Sequence, residues 1–181
     1  VFNQRLAAIN TELTEKNAEL ERISRLDHLT QTFNRIQTDS DLEREISRSH
    51  RYERPFSIVF VDIDHFKRIN DTHGHQTGDQ VLKDFAKLVQ KKLRENDVFG
   101  RWGGEEFVLL CPETDGEGAR DLAEKLRATI ANHTFSSGVS VTASFGVAQL
   151  RTTEDRESLI KRTDEALYKA KSDGRNAVRV A

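Results

Sequence analysis

Two pairs of carboxylates stand where a soluble chain has little structural use for them. Asp62 and Asp64 end the apolar run FSIVFVDID (56–64). Glu105 and Glu106 interrupt RWGGEEFVLL (101–110) directly after Gly103-Gly104. A carboxylate that follows a buried run needs a partner or a metal, because burying an uncompensated charge is expensive. The ends of strands in open α/β sheets are also where ligands bind. Each pair has a plainer reading when taken alone. Asp64 serves equally well as the N-cap of a following helix, and Glu105-Glu106 as solvated residues of an ordinary hairpin. A hairpin between central strands, however, brings its turn beside the end of a neighbouring strand. Asp62 and one of the glutamates can then share a divalent cation. Few and hard oxygen ligands, with room left for phosphate, suit Mg²⁺. Glycine at 103 and 104 permits positive φ and lets backbone approach a bulky ligand closely.

The elements that must position these groups follow from periodicity. DSDLEREISRSHRYERP (39–55) opens on cap-type residues and reads as a helix ended by Pro55. FSIVFVDID is a buried strand. TGDQVLKDFAKLVQKKLRE (77–95) places Val81, Leu82, Phe85, Leu88, Val89 and Leu93 on one helical face. DVFGRW and EFVLLC are strands flanking the diglycine. EGARDLAEKLRATIANH (117–133) is helical, and VSVTASFGVAQL (139–150) alternates as a strand. SLIKRTDEALYKAKSDG (158–174) is a last helix stopped by Gly174, and NAVRV a last short strand. The order β-α-β-β-α-β, then α and β, is an α+β sandwich. It has a ferredoxin-like, palm-type core with an extra helix and strand. Such a fold alone decides nothing about function.

The first 26 residues are different. Phe2, Leu6, Ile9, Leu13, Lys16, Leu20 and Ile23 recur at alternating spacings of four and three, a heptad seam with one polar member. Its other faces are polar, so the helix needs a partner. A parallel coiled coil with a second copy of the chain is expected. The division is then a coiled-coil signalling helix over 1–26 and a catalytic domain over 27–181. The 181 residues suffice for one core plus this appendage. A net charge of −2 argues against a nucleic-acid partner. The single cysteine, Cys111, excludes an internal disulfide framework and suits a reducing, cytoplasmic location. Starting at Val1 and lacking methionine, the sequence reads as a piece of a longer protein. Its upstream sensor and any membrane anchor would lie outside it.

The motifs resemble those of GGDEF-domain diguanylate cyclases. RWGGEEFVLL is similar to the family's signature, with Glu105 in a position usually held by Asp or Glu. DHLTQTFNR (27–35), DIDHFKRINDTHGHQTGD (62–79), VTASFG (141–146) and DEALYKAKSDGRN (164–176) fit the family's pattern in order and spacing. The resemblance covers residues 27 to 179.

It implies roles for particular residues. Asp62, Glu105 and the backbone carbonyl of Ile63 are the metal ligands, with Mg²⁺ or Mn²⁺ as cofactor. Glu105 is also the base for the 3′-hydroxyl. Phe66 and Lys67 cradle the triphosphate, and Lys67 steadies charge in the transfer. Asn70 and Asp79 read guanine, and His75 lies close to the substrate. Gly103 is where the backbone runs against the nucleotide. Lys171 and Arg175 form a γ-phosphate clamp; four apart at the end of the last helix, they are expected to share one face. Arg94 and Asp97 match the family's Arg-x-x-Asp inhibitory site for product.

The implied reaction joins two GTP into cyclic di-GMP with release of two pyrophosphates. One chain supplies one guanine pocket, so two must face each other as a homodimer, which gives the heptad seam a purpose. The competing readings are a non-catalytic GGDEF module that binds GTP or cyclic di-GMP, and a palm-type polymerase or adenylyl cyclase. The intact acidic turn argues against the first. Asn70 and Asp79, with the net charge, argue against the second. One departure stands out: the family's Leu-Thr-Gly-Leu is here Leu29-Thr30-Gln31-Thr32. The missing glycine bears on the geometry of that turn, away from the acidic centre.

Overall fold

Alternation and burial together dictate a sheet covered on both faces. The computed structural model describes residues 25–181 and, before them, Arg5, Ile9, Asn10, Leu13 and Lys16, all five helical. Of the heptad seam, Phe2, Leu6, Leu20 and Ile23 lie outside the described residues. Ile9 and Leu13 are more than half exposed within the single chain.

The elements run α1 (Arg35–Tyr52), β1 (Phe56–Ile63), α2 (Phe66–His73), α3 (His75–Gln90), β2 (Val98–Arg101), β3 (Glu106–Pro112), α4 (Gly116–Ala131), β4 (Ala143–Gln149), α5 (Arg156–Ser172) and β5 (Val178–Val180). One sheet of order β2-β3-β1-β4-β5 results. β1 pairs antiparallel with both β3 and β4, and β5 is parallel to β4. This is the expected α+β arrangement.

Several boundaries differ from the sequence reading. The first helix starts four residues earlier than expected, because Asn34 caps it by accepting from the Gln37 N–H at 2.9 Å. FKRINDTH, not read as an element, forms α2; its buried Phe66 and Ile69 give it an apolar side. Gly74, at φ 86°, ends α2 and starts α3, a conformation that suits only glycine without strain. β4 is shorter than expected, starting at Ala143 rather than at Val139. The β2–β3 hairpin is not between central strands, since β2 lies at the edge. That edge is partly covered through backbone bonds from Phe33 N–H to the Phe99 carbonyl and from Arg101 N–H to the Phe33 carbonyl.

Period-two alternation sorts the side chains into two cores. Val59, Val61, Phe107, Leu109, Phe145 and Val147 meet α3 and α4. Phe56, Ile58, Phe60, Val108 and Leu110 meet α1 and α5. On the second face α5 lies so close to β4 that a Cβ on Gly146 would stand 2.4 Å from both the Leu167 nitrogen and the Thr163 carbonyl. Backbone cannot yield as a side chain does. Gly146→Ala is therefore expected to lower stability by about 1–3 kcal/mol. A urea midpoint equal to that of the unsubstituted protein would show that α5 is free to move off the sheet.

Candidate active site

Register decides what the carboxylates face. Asp62 pairs directly with Glu106 on β3 and with Ser144 on β4. All three lie on the α1/α5 face, because side chains of directly opposed residues share a face. Glu105 sits one residue earlier, and its carbonyl accepts from the Ile63 N–H at 3.3 Å. The diglycine turn is thereby hydrogen-bonded to the end of β1, as the sequence reading required. Burial pushes the Asp62 carboxyl above the usual range. A bond from Lys171 opposes this, and the charges of Glu106 and Asp64 add to it. The Lys171 Nζ stands 2.7 Å from the Asp62 Oδ2.

Neither Gly103 nor Gly104 uses the positive φ that glycine permits. Only Gly103 lies close to another group of the chain, the movable end of a side chain. A Cβ on Gly103 would lie 2.7 Å from the Glu106 Oε2, whereas Gly104 faces open space. Sequence reasoning missed what fastens this turn. Arg101 donates from Nε and Nη2 to the Gly104 carbonyl at 3.0 and 2.7 Å, and from Nε to the Gly103 carbonyl at 3.2 Å. Its Nη1 reaches the Asp27 carboxylate at 3.3 Å. An arginine two residues ahead of a diglycine was the only available signal.

The α2–α3 corner carries further candidate residues. Lys67 is exposed at its start, and His75 and Asp79 are exposed on α3. Asn70 packs against Gly78, where a Cβ would fall 1.8 Å from the Asn70 Oδ1. A glycine inside a helical pattern signals such close approach. The Asn70 Oδ1 is buried yet accepts no hydrogen bond. Buried acceptors are normally satisfied, so this oxygen, held against Gly78, marks a tight contact between α2 and α3.

The expectation that Lys171 and Arg175 share a helical face is incorrect. α5 ends at Ser172 with Asp173 as its C-cap, and Arg175 lies beyond Gly174 at φ 65°. The helix stops because Gly174 takes φ 109° and the Arg175 N–H turns back to the Ala170 carbonyl at 3.1 Å. Asp64 is not a helix cap either. The N-cap position of α2 is His65, which makes no side-chain cap bond.

Comparison with known proteins identifies the family. The sequence profile described as "Diguanylate cyclase, GGDEF domain" matches residues 24–177. The chain belongs to the GGDEF-domain diguanylate cyclase family. The diguanylate cyclase DgcP of Pseudomonas aeruginosa is 44% identical over 158 residues, 86% of this chain and 24% of that protein. DgcM of Escherichia coli is 39% identical over 94% of this chain and 42% of its own length. The chain thus spans a quarter to less than half of these two relatives. Among solved structures, the coiled coil and GGDEF domain of DgcB from Caulobacter crescentus, in complex with c-di-GMP, superposes with a TM-score of 0.84 at 31% identity, covering 99% of each chain. The active GGEEF domain of a Vibrio cholerae diguanylate cyclase gives 0.78 at 38% identity, covering 81% of this chain and 96% of that one.

At Gln31, where the motif resemblance expects a glycine, the turn keeps the conformation a glycine would favour. Gln31 has φ 56°, and its side chain donates to the His28 carbonyl at 2.9 Å. The left-handed backbone costs roughly 1–2 kcal/mol for such a residue. Arg94 and Asp97 are joined by a bond from the Arg94 N–H to the Asp97 Oδ2 at 2.9 Å. They border an open depression of about 870 Å³ that Arg25, Arg44 and Arg48 also line. GGDEF diguanylate cyclases depend on divalent metal, and the acidic centre here fits one. Among the described residues no three His, Cys, Asp or Glu side chains converge as a closed cage. A buried Asp62 beside the diglycine turn instead offers few oxygen donors, which leaves room for the phosphate and water oxygens that a hard divalent cation takes. None of the described helices is long and apolar enough to cross a membrane.

Proposed function

We propose that this chain is the catalytic domain, preceded by a signalling helix, of a diguanylate cyclase that condenses two GTP into cyclic di-GMP and two pyrophosphates. The supporting observation is the hydrogen bond from Ile63 N–H to the Glu105 carbonyl, which joins the diglycine turn to the strand end bearing Asp62. Asp62, Glu105 and the Ile63 carbonyl would hold Mg²⁺ or Mn²⁺. When bound, the cation acidifies the 3′-hydroxyl and offsets charge on the phosphates.

The chain's own residues do the rest. Glu105 takes the proton of the 3′-hydroxyl as it attacks the α-phosphate of the GTP on the facing chain. Asn70 and Asp79 hold guanine, with His75 beside it; Asp accepts from both N1–H and the exocyclic amine, donors that adenine does not pair in this way. The backbone amides near Phe66, together with Lys67, cradle the triphosphate. Lys171 and Arg175 hold its far end, and Lys171 leaves Asp62 to do so. Gly103 admits the nucleotide against backbone. Incubation with GTP and Mg²⁺ should yield cyclic di-GMP through the linear intermediate pppGpG. Absence of both products from a folded dimer would refute the assignment and favour a non-catalytic binding module.

Two chains are needed, and the helix over 1–26 is proposed to pair them. Deleting residues 1–24 is expected to leave a folded domain whose dimer is weaker by sedimentation, with specific activity rising steeply with protein concentration. An equally tight dimer without the helix would give the seam another job.

Product is proposed to bind at Arg94 and Asp97 and to hold the GTP sites apart. Arginine suits a phosphate or the Hoogsteen edge of guanine, and Asp suits N1–H and the amine. Progress curves are expected to slow as product accumulates. Arg94→Ala should remove the slowdown and leave the initial rate nearly unchanged. Identical curves and equal product affinity for the two proteins would reduce the pair to a surface turn.

A further inference from the structure

Asp64 is a buried carboxylate, 4% exposed, that the proposed chemistry leaves unused. Three donors converge on it. The Thr142 hydroxyl at 2.7 Å and the Asn176 backbone N–H at 2.9 Å donate to Oδ2, and the Ser144 hydroxyl at 2.7 Å to Oδ1. The Asn176 bond belongs to an unusual segment. Gly174, Arg175 and Asn176 follow one another at φ 109°, 65° and 42°. Glycine adopts such backbone freely and asparagine tolerates it, but Arg175 carries a penalty of about 1–2 kcal/mol. Strain of this kind persists only where the surroundings over-determine it, and it gathers at ligand clamps.

Four bonds fasten the turn. Arg175 N–H reaches the Ala170 carbonyl at 3.1 Å, and Phe145 N–H reaches the Ala177 carbonyl at 2.9 Å. Arg127 Nη1 donates to the Asn176 Oδ1 at 3.2 Å. The bond to Asp64 is the one that ties the turn to the end of β1, two residues from Asp62.

We infer that Asp64 is a positioning residue: by accepting the Asn176 N–H it holds the strained Gly174–Asn176 turn at the end of β1 and so presents Arg175 to the distal phosphates of the nucleotide. Its carboxylate is committed to protein donors and is not a metal ligand. The inference rests on the proposed role of Arg175. It separates two neighbouring aspartates by function, Asp62 toward the cation and Asp64 toward the loop.

The donors make the idea testable, because hydroxyls rotate and a backbone N–H does not. In Asp64→Asn the amide oxygen can keep Thr142 and Asn176, while the amide nitrogen donates to a rotated Ser144 hydroxyl. The full chain is titrated calorimetrically, in Mg²⁺, with 3′-deoxy-GTP and 3′-deoxy-GMP, which lack the attacking hydroxyl. Asp64→Asn is expected to bind both within about threefold of the unsubstituted protein, whereas Asp64→Ala loses about tenfold for the triphosphate and little for the monophosphate. Arg175→Ala should show the same contrast, and the double variant no further loss, since the two act through one contact.

If Asp64→Ala fails to melt cooperatively, Thr142→Val/Ser144→Ala replaces it, with the same contrast expected. Asp64→Asn behaving like Asp64→Ala would overturn the inference in favour of an obligatory charge. Equal losses for triphosphate and monophosphate would overturn it in favour of a general packing role. Arg175→Ala binding triphosphate normally removes the clamp on which it rests. Failure of the cyclase assignment reads differently, as no cyclic di-GMP from the unsubstituted protein with GTP.

Discussion

Glu105→Ala is expected to lower the initial rate of cyclic di-GMP formation by roughly 10²–10⁴-fold, the span for loss of a positioned base, and further if the cation is also lost. The fold should survive. The bond that joins this residue to β1 uses its carbonyl, which alanine retains. Arg101 grips the carbonyls of Gly103 and Gly104 rather than the glutamate side chain. Thermal melting should therefore stay close to that of the unsubstituted chain. Glu105→Asp keeps a carboxylate at the same point and should retain most of the rate. Glu106 provides the contrast, since it is the residue that directly faces Asp62 across the strands. If Glu105→Ala turns over within tenfold of the unsubstituted protein while Glu106→Ala does not, the two glutamates have been assigned in the wrong order.

The second large effect concerns the base. GTP is expected to exceed ATP by about 10³-fold or more in kcat/KM, because a site built to hydrogen-bond a substrate is left with unpaired groups by one that lacks the donors. Asn70, packed against Gly78, and the exposed Asp79 are the groups proposed to lose their guanine partners in such a mismatch. Asp79→Ala should cut kcat/KM for GTP by about 10–100-fold, the range for loss of a hydrogen bond to a charged group. The loss should fall mainly on KM, since base recognition lies away from the reacting phosphate. Gly78→Ala offers an independent check through the same pocket, because its methyl would displace the Asn70 amide. Comparable turnover of ATP and GTP would show that these residues do not read the base.

The strands and most helices were legible in the chain because burial leaves a period in the sequence. FSIVFVD could only be a buried strand, and the alternation around Phe145 could only be another. The acidic residues were legible because a charge at the end of a buried apolar run needs a partner or a metal. α2 was not legible: its eight residues, FKRINDTH, carry two apolar side chains at helical spacing, too few to declare a period. The order of strands belongs to the tertiary structure, since pairing β1 with β3 and β4 depends on contacts distant along the chain.

The same holds for the site. Sequence spacing suggested that Lys171 and Arg175 share a face, but Gly174 ends that logic by turning the backbone left-handed between them. Residue type could not tell Asp62 from Asp64. One meets Lys171 and the diglycine turn, and the other meets Thr142, Ser144 and Asn176. Arg101 likewise looks like any surface arginine until the hairpin and the turn at Asp27 are folded against each other. The sequence by itself determined which groups are present and which elements carry them. Only the tertiary structure decided which partner each carboxylate has, because a hydrogen bond depends on direction and distance across elements, and neither leaves a period along the chain.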